Sequence, residues 1–252
     1  MTENEILALA KALRHLSESQ RDLVKRVMAQ FALPFKFARN PKSDWITDSV
    51  LNHFGDALRT HHALSRQALS KDRFEFAFER ALNMSGVNAE LVSSRTNRGR
   101  DISIAGVPVS LKTEAAKGIK IDSIHVSKWM ELGKGFWKLS ILRDVFLDHL
   151  ASYDRIFTLR CLEQGPRQYL YELVEIPKTL LQESTKCEFE FMSDSKQDPR
   201  PGYGRVYGPS RTLKFELYFD GGTERKLQIR RLDKSLCIVH ATWAFEASSN
   251  SL

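Results

Sequence analysis

The stretch GRDISIAGVPVSLKTEA, residues 99–115, carries two short runs of alternating apolar and polar residues on either side of Gly106. Alternation of period two marks a strand with one buried face, and two such runs around a Gly-Val-Pro turn predict an antiparallel hairpin. Folded about Gly106 and Val107, the hairpin sets Ala105 opposite Pro108, Ser103 opposite Ser110 and Asp101 opposite Lys112, because cross-strand partners share a face. Ile102, Ile104, Val109 and Leu111 then line the core side. Asp101, Ser103, Ser110 and Lys112 form a polar row, with Glu114 one step further along it. A carboxylate beside an ammonium is either a surface ion pair, worth at most about 1 kcal/mol, or part of a site.

Upstream, DRFEFAFERALNMSGV, residues 72–87, places Phe74, Phe78, Ala81 and Leu82 on one side of a helix that ends near Gly86 and carries Glu75 and Glu79. Residues 3–33 predict two helices with a capping box at Ser17 to Gln20 between them, and residues 44–70 return to helical spacing after the Leu-Pro and Asn-Pro dipeptides. Residues 126–132 and 138–151 are expected to be helical. YDRIFTLRCL and QYLYELVEI alternate as paired strands closed by Pro177. Beyond the short helix KTLLQ come CEFEFM, the polar SDSKQDPRPGYGRVYGPSR, a hairpin turning at DGGT (220–223) and a last strand in LCIVHATWAF. These elements predict a mixed α/β (α+β) chain folded as one unit: an N-terminal helical region over 1–70, a core over 71–182 and a β-rich part over 183–252.

Lys and Arg outnumber Asp and Glu by 38 to 31, giving a net charge of +7, which suits a polyanionic partner. Three cysteines far apart, with no CxxC pair, argue against a disulfide framework or zinc finger. No run approaches the roughly 20 apolar residues of a membrane span, and the acidic, amphipathic MTENEILALAKAL does not resemble a leader. A cytoplasmic protein with no membrane contact is expected. His61 and His62, adjacent on a helix, point in different directions and make a poor metal pair, while His125 and His240 on strands fit hydrogen-bonded core positions.

With FERALNMSG, the strand opened by GRD, and VSLKTE in view, the chain resembles the PD-(D/E)xK nucleases, and among them the type II restriction endonucleases in size and layout. YDRIFTLRCL and YELVEIPKTLL extend the resemblance, which covers residues 73–182. It implies a restriction-endonuclease-like core with a central mixed sheet flanked by helices, hydrolysing phosphodiester bonds of double-stranded DNA at a short specific sequence. Mg²⁺ is the implied cofactor and a homodimer the implied assembly. Asp101 and Lys112 match the motif's acid and lysine. The acid that ordinarily stands two positions before the lysine is replaced by Ser110, so a carboxylate must come from elsewhere. Glu79 is the first candidate and Glu114 the second, with Glu75, on nearly the same helical face as Glu79, left open. Mg²⁺ takes oxygen ligands, so Asp101 with Glu79 or Glu114 would hold it, and Lys112 would position or deprotonate the attacking water.

DNA contacts are expected from Arg98 and Arg100 beside Asp101, from Lys117 and Lys120 after the motif, and from Tyr203, Arg205 and Arg211 in the loop RPGYGRVYGPSR. The basic C-terminal region also carries Lys214, Arg225, Lys226, Arg230 and Arg231. Two other readings stay open at this point: a repair or mobile-element nuclease on the same core, and a DNA-binding protein that has lost catalysis, with Ser110 as the trace of that loss.

Overall fold

The computed structural model describes residues 1–92, 99–116 and 118–248. Two sheets form. The first has seven strands in the order β1 (Phe35–Arg39), β12 (Ile238–Glu246), β7 (Gln168–Glu175), β6 (Arg155–Gly165), β4 (Val107–Glu114), β3 (Ile102–Ile104) and β2 (Ala89–Leu91). It is mixed: β4 runs parallel to β6, and the other pairings are antiparallel. The second is antiparallel, in the order β5 (Ser123–Glu131), β11 (Lys226–Asp233), β10 (Leu213–Phe219), β9 (Gly202–Tyr207) and β8 (Glu188–Phe191). This is the mixed α/β, restriction-endonuclease-like architecture that the sequence predicts.

The helices are α1 (Glu3–Arg14), α2 (Glu18–Ala32), α3 (Asp48–His62), α4 (Lys71–Met84), α5 (Leu139–Leu150) and α6 (Lys178–Gln182). Ser17 caps α2 in the predicted capping box with Gln20. Apolar stripes of α3 and α4, among them Phe54, Phe74 and Phe78, meet Ile102, Ile104, Val109, Leu111 and Trp243 of the first sheet in one core. A second core lies beyond the sheet's other face, where Ile156 and Val174 meet Leu142 and Phe146 of α5 and Phe215, Leu217 and Ile229 of the second sheet. The polar row of the hairpin therefore does not face open solvent. Ser110, Lys112 and Glu114 are all buried.

Several local expectations change. The 99–115 hairpin pairs Ile102 with Val109, Ser103 with Pro108 and Ile104 with Val107. The turn is therefore Ala105–Gly106, one residue earlier than predicted, which shifts the cross-strand register by two. Both turn residues have positive φ, 49° and 82°, as a tight primed turn requires. Val107, β-branched, would be strained there. A shift of two keeps every residue on its face, so the predicted core and polar sides survive. Residues 126–132, expected to be helical, fall largely in strand β5. Val126 and Trp129 point inward at helical spacing because bulges interrupt the pairing of β5 with β11. Finally, β1 emerges from the Pro-flanked connection, and β12 inserts between β1 and β7 of the first sheet.

Candidate active site

Asp101 sits just before β3, where its backbone N–H donates to Val109 O at 2.9 Å. Its carboxylate turns toward β4: Oδ2 accepts from the Leu111 backbone N–H at 2.6 Å and from Ser110 Oγ at 3.1 Å. In the actual register Asp101 thus faces Ser110, and Lys112 approaches diagonally, its Nζ 3.9 Å from Oδ2. The Ser110 hydroxyl thus fixes the orientation of the Asp101 carboxylate. Lys112 lies 5.5 Å from the centre of the Trp129 ring, whose Nε1 donates to the Tyr153 hydroxyl at 3.1 Å. Burial, opposed in part by the nearby Asp101, pushes the Lys112 ammonium down to about 8. Gly99, with φ of +78°, lets the chain enter the site, since a side-chain carbon there would lie 2.3 Å from His149 Nε2.

The second carboxylate at Asp101 belongs to α4. Lys71, the first residue of that helix, donates to Asp101 Oδ1 at 2.7 Å and lies 3.1 Å from Glu75 Oε1, so one ammonium joins both acids. Burial raises the Glu75 carboxyl above its usual range despite the stabilising Lys71 charge. Lys71 is raised, its own burial being outweighed by Asp101 and Glu75. Sequence reasoning misses Lys71. The available signal is a lysine in the first turn after the Ser70 cap, where the helix dipole favours acids. Lys71, Asp101 and Lys112 line a cleft of about 720 Å³ with Trp129, Asp148 and His149, and Glu75 is joined to it through Lys71.

The two glutamates preferred from the sequence are engaged elsewhere. Glu79, one turn beyond Glu75, accepts the Leu91 backbone N–H at 2.9 Å and so splices α4 to β2. Glu114 accepts from the His125 N–H at 2.8 Å and from Arg160 Nε at 2.6 Å. Arg160 is fully buried and donates in addition to Glu172 at 2.7 Å and to the carbonyls of Lys120, Ile121 and Ser123. Lys234 completes this knot with Glu172 at 2.9 Å. Among the described residues no three His, Cys, Asp or Glu side chains converge as a metal cluster.

A family model of type II site-specific deoxyribonucleases, named for SmaI, matches residues 9–245. The chain belongs to that family. It is 50% identical over 230 residues to the type II restriction enzyme SmaI of Serratia marcescens, covering 91% of this chain and 93% of the relative. No solved structure matches the chain. It is therefore a type II restriction endonuclease, a DNA hydrolase, and the repair and mobile-element readings give way. Among the described residues no helix is long and apolar enough to cross a membrane.

For a SmaI-family endonuclease the basic surfaces matter next. Tyr203, Arg205 and Lys120 from the sequence reading come together with His125, Arg230 and Arg231 around a groove of about 580 Å³ whose floor includes Glu114. Aromatic rings hold the cations: Arg230 lies 3.6 Å from the Tyr218 ring centre, Arg205 lies 4.8 Å from that of Tyr203, and the two tyrosine rings are 5.1 Å apart. Gln228 accepts from Arg230 Nε at 2.9 Å, and Arg205 is paired with Glu216 and Glu190. Arg211 is exposed in the turn between β9 and β10, paired with Glu188. Arg100 is exposed beside Asp101. Arg98 and Lys117 lie outside the described residues.

Proposed function

We propose that Asp101, Glu75 and Lys112 form the catalytic centre of this endonuclease and that Asp101 and Glu75 would hold Mg²⁺. The observation that supports it is the convergence of both carboxylates on one cationic atom, Lys71 Nζ, at 2.7 and 3.1 Å. Two hard oxygen donors aimed at one point fit Mg²⁺, which completes its shell with water and substrate phosphate. When bound, that ion would offset charge on the scissile phosphate and lower the pKa of a water. Ser110 and the Leu111 N–H hold Asp101 in place for this. Lys112, poised near neutrality by its burial, can take a proton from the attacking water or steady the charge that grows on the phosphate. In this reading Glu79 and Glu114 are positioning residues.

Double-stranded DNA is taken to lie across the cleft and the basic groove, with Arg100 at the cleft and Lys120, Tyr203, Arg205, Arg230 and Arg231 in the groove. Arg98, Lys117 and Arg211 remain proposed phosphate contacts. A homodimer is proposed as well: two-fold symmetry suits a palindromic site, and α1 has no buried residue while Ile6, Leu7, Leu9 and Met28 are exposed on α1 and α2. Leu7→Glu is expected to shift the mass in solution from dimer to monomer, and an unchanged mass removes this face as the interface. A DNA substrate supports work in the cytoplasm. The direct test of the centre is Asp101→Ala and Lys112→Ala, the first expected to abolish cutting with Mg²⁺ and the second to leave at most about a hundredth of the rate, while a gel shift still shows DNA binding. Full cleavage by either variant eliminates the proposed centre.

A further inference from the structure

Lys71 holds the position in which two acids converge, and that sets a problem for any divalent ion entering there. Asp101 and Glu75 carry two negative charges, and Lys71 and Lys112 carry two positive ones, so these four groups balance; of the other charges lining the cleft, Lys128 pairs with Glu131, and Asp148 adds one carboxylate. Adding a dication beside both ammonium groups would leave an uncompensated excess at distances of a few ångströms, where Coulomb repulsion in a partly buried cleft is large. One ammonium must leave. Lys112 cannot do so readily: it lies within a strand, its side chain is 6% exposed, and Trp129 closes over it. Lys71 can. Its side chain is 40% exposed, it begins α4 at the wall of the cleft, and four flexible methylenes separate its charge from the backbone.

We propose that Lys71 is an exchange residue: in the DNA-free enzyme its ammonium keeps the two carboxylates together, and as the metal ion enters it moves from Asp101 and Glu75 to a phosphate of the DNA backbone. A lysine suits the task because it is a compact charge with no fixed fork geometry to satisfy. The exchange links the two ligands. Metal ion binds poorly while Lys71 stays, and DNA, by giving Lys71 a new anion, favours metal entry; linkage makes the effect reciprocal. Asp101, Glu75, Lys71 and Lys112 thus balance one another before binding, and the enzyme holds its metal firmly only where there is DNA to cut. This inference rests on the reading of Asp101 and Glu75 as the metal-holding pair.

The test is Mn²⁺ binding to the DNA-free protein, followed by the electron spin resonance signal of the free ion, for wild type, Lys71→Met and Lys71→Gln. Circular dichroism confirms that each is folded, and either variant serves. The exchange predicts affinity tighter by roughly tenfold in the variants, within the usual range for coupled sites. With Ca²⁺ present, the salt dependence of DNA binding should become shallower by about one phosphate contact. Unchanged or weaker Mn²⁺ binding, with Asp101→Asn in the same background abolishing it, overturns the exchange and leaves the metal-holding pair intact. Tighter Mn²⁺ binding with an unchanged salt slope overturns the transfer to phosphate. Mn²⁺ affinity that survives Asp101→Asn removes the metal-holding pair, and the exchange with it.

Discussion

Two clusters in this enzyme have the same charged composition and opposite construction. The cleft holds Asp101 and Glu75 with Lys71 and Lys112; the buried knot holds Glu114 and Glu172 with Arg160 and Lys234. In the knot an unexposed guanidinium makes five hydrogen bonds, three of them to the carbonyls of Lys120, Ile121 and Ser123. The effect is to fasten β4, β6 and β7 to the chain that leads into β5. In the cleft the cations are ammonium groups, Lys112 stands 3.9 Å from its acid, and Lys71 is accessible to water. Fixed forks suit a joint, whereas point charges on flexible stems suit a site whose partners change.

The largest expected difference between the two is in catalysis. Lys112→Ala should lower the single-turnover cleavage rate by about 10²–10⁴-fold, the usual range for loss of a proton-transfer group. Its urea midpoint should stay near or above that of wild type. A rate within a few-fold of wild type would break the contrast. Next comes stability. Arg160→Leu leaves the buried Glu114 carboxylate without its cation and Glu172 with Lys234 alone, and should cost about 3–5 kcal/mol in urea unfolding, whereas Lys71→Met should change stability by less than about 1 kcal/mol, as expected for a partly exposed pair. Equal losses from the two substitutions would show that the clusters do not differ in kind.

A smaller effect concerns pH. Lys112 sits at about 8 in the folded protein against an ordinary 10.5, because burial outweighs the help from Asp101. Between those values the unfolded chain holds more protons than the folded one, so stability contributed by this group rises with pH across that window. Below about 8 both states carry the charge and the slope vanishes. Comparing wild type with Lys112→Met isolates the contribution: the difference in urea midpoint should shrink as pH climbs through that window, and a constant difference would contradict the assigned burial cost.

How much of this is legible in the sequence depends on the range of the interaction that decides each part. Strand faces follow from a period of two, so the polar row of Asp101, Ser110 and Lys112 is read correctly even with the turn set one residue too far along. The pairing of Asp101 with Lys112 survives as a diagonal contact for the same reason. Glu75 and Glu79 differ by one turn of a helix, and hydrophobic periodicity does not say which turn lies beside the start of β3. Glu114 shares the face of Lys112, yet its partner Arg160 is 46 residues away in sequence, beyond any local pattern. Strand β5 reads as helix because its bulges imitate a helical repeat. Tyr203, Arg205 and Lys120 are expected at DNA on charge and aromatic character alone; only the fold brings Arg230 and Arg231 to the same groove.

The central claim is that the acid missing at Ser110 is supplied by Glu75. Single-turnover cleavage by Glu75→Gln and Glu79→Gln, measured side by side with Mg²⁺ on one DNA substrate, tests it most directly. Both changes keep side-chain shape, and the amide introduced by Glu79→Gln retains an oxygen that accepts the Leu91 N–H. Loss of cutting in the first, with near wild-type rates in the second, is the predicted result. Cutting that survives at position 75 and disappears at position 79 would contradict it.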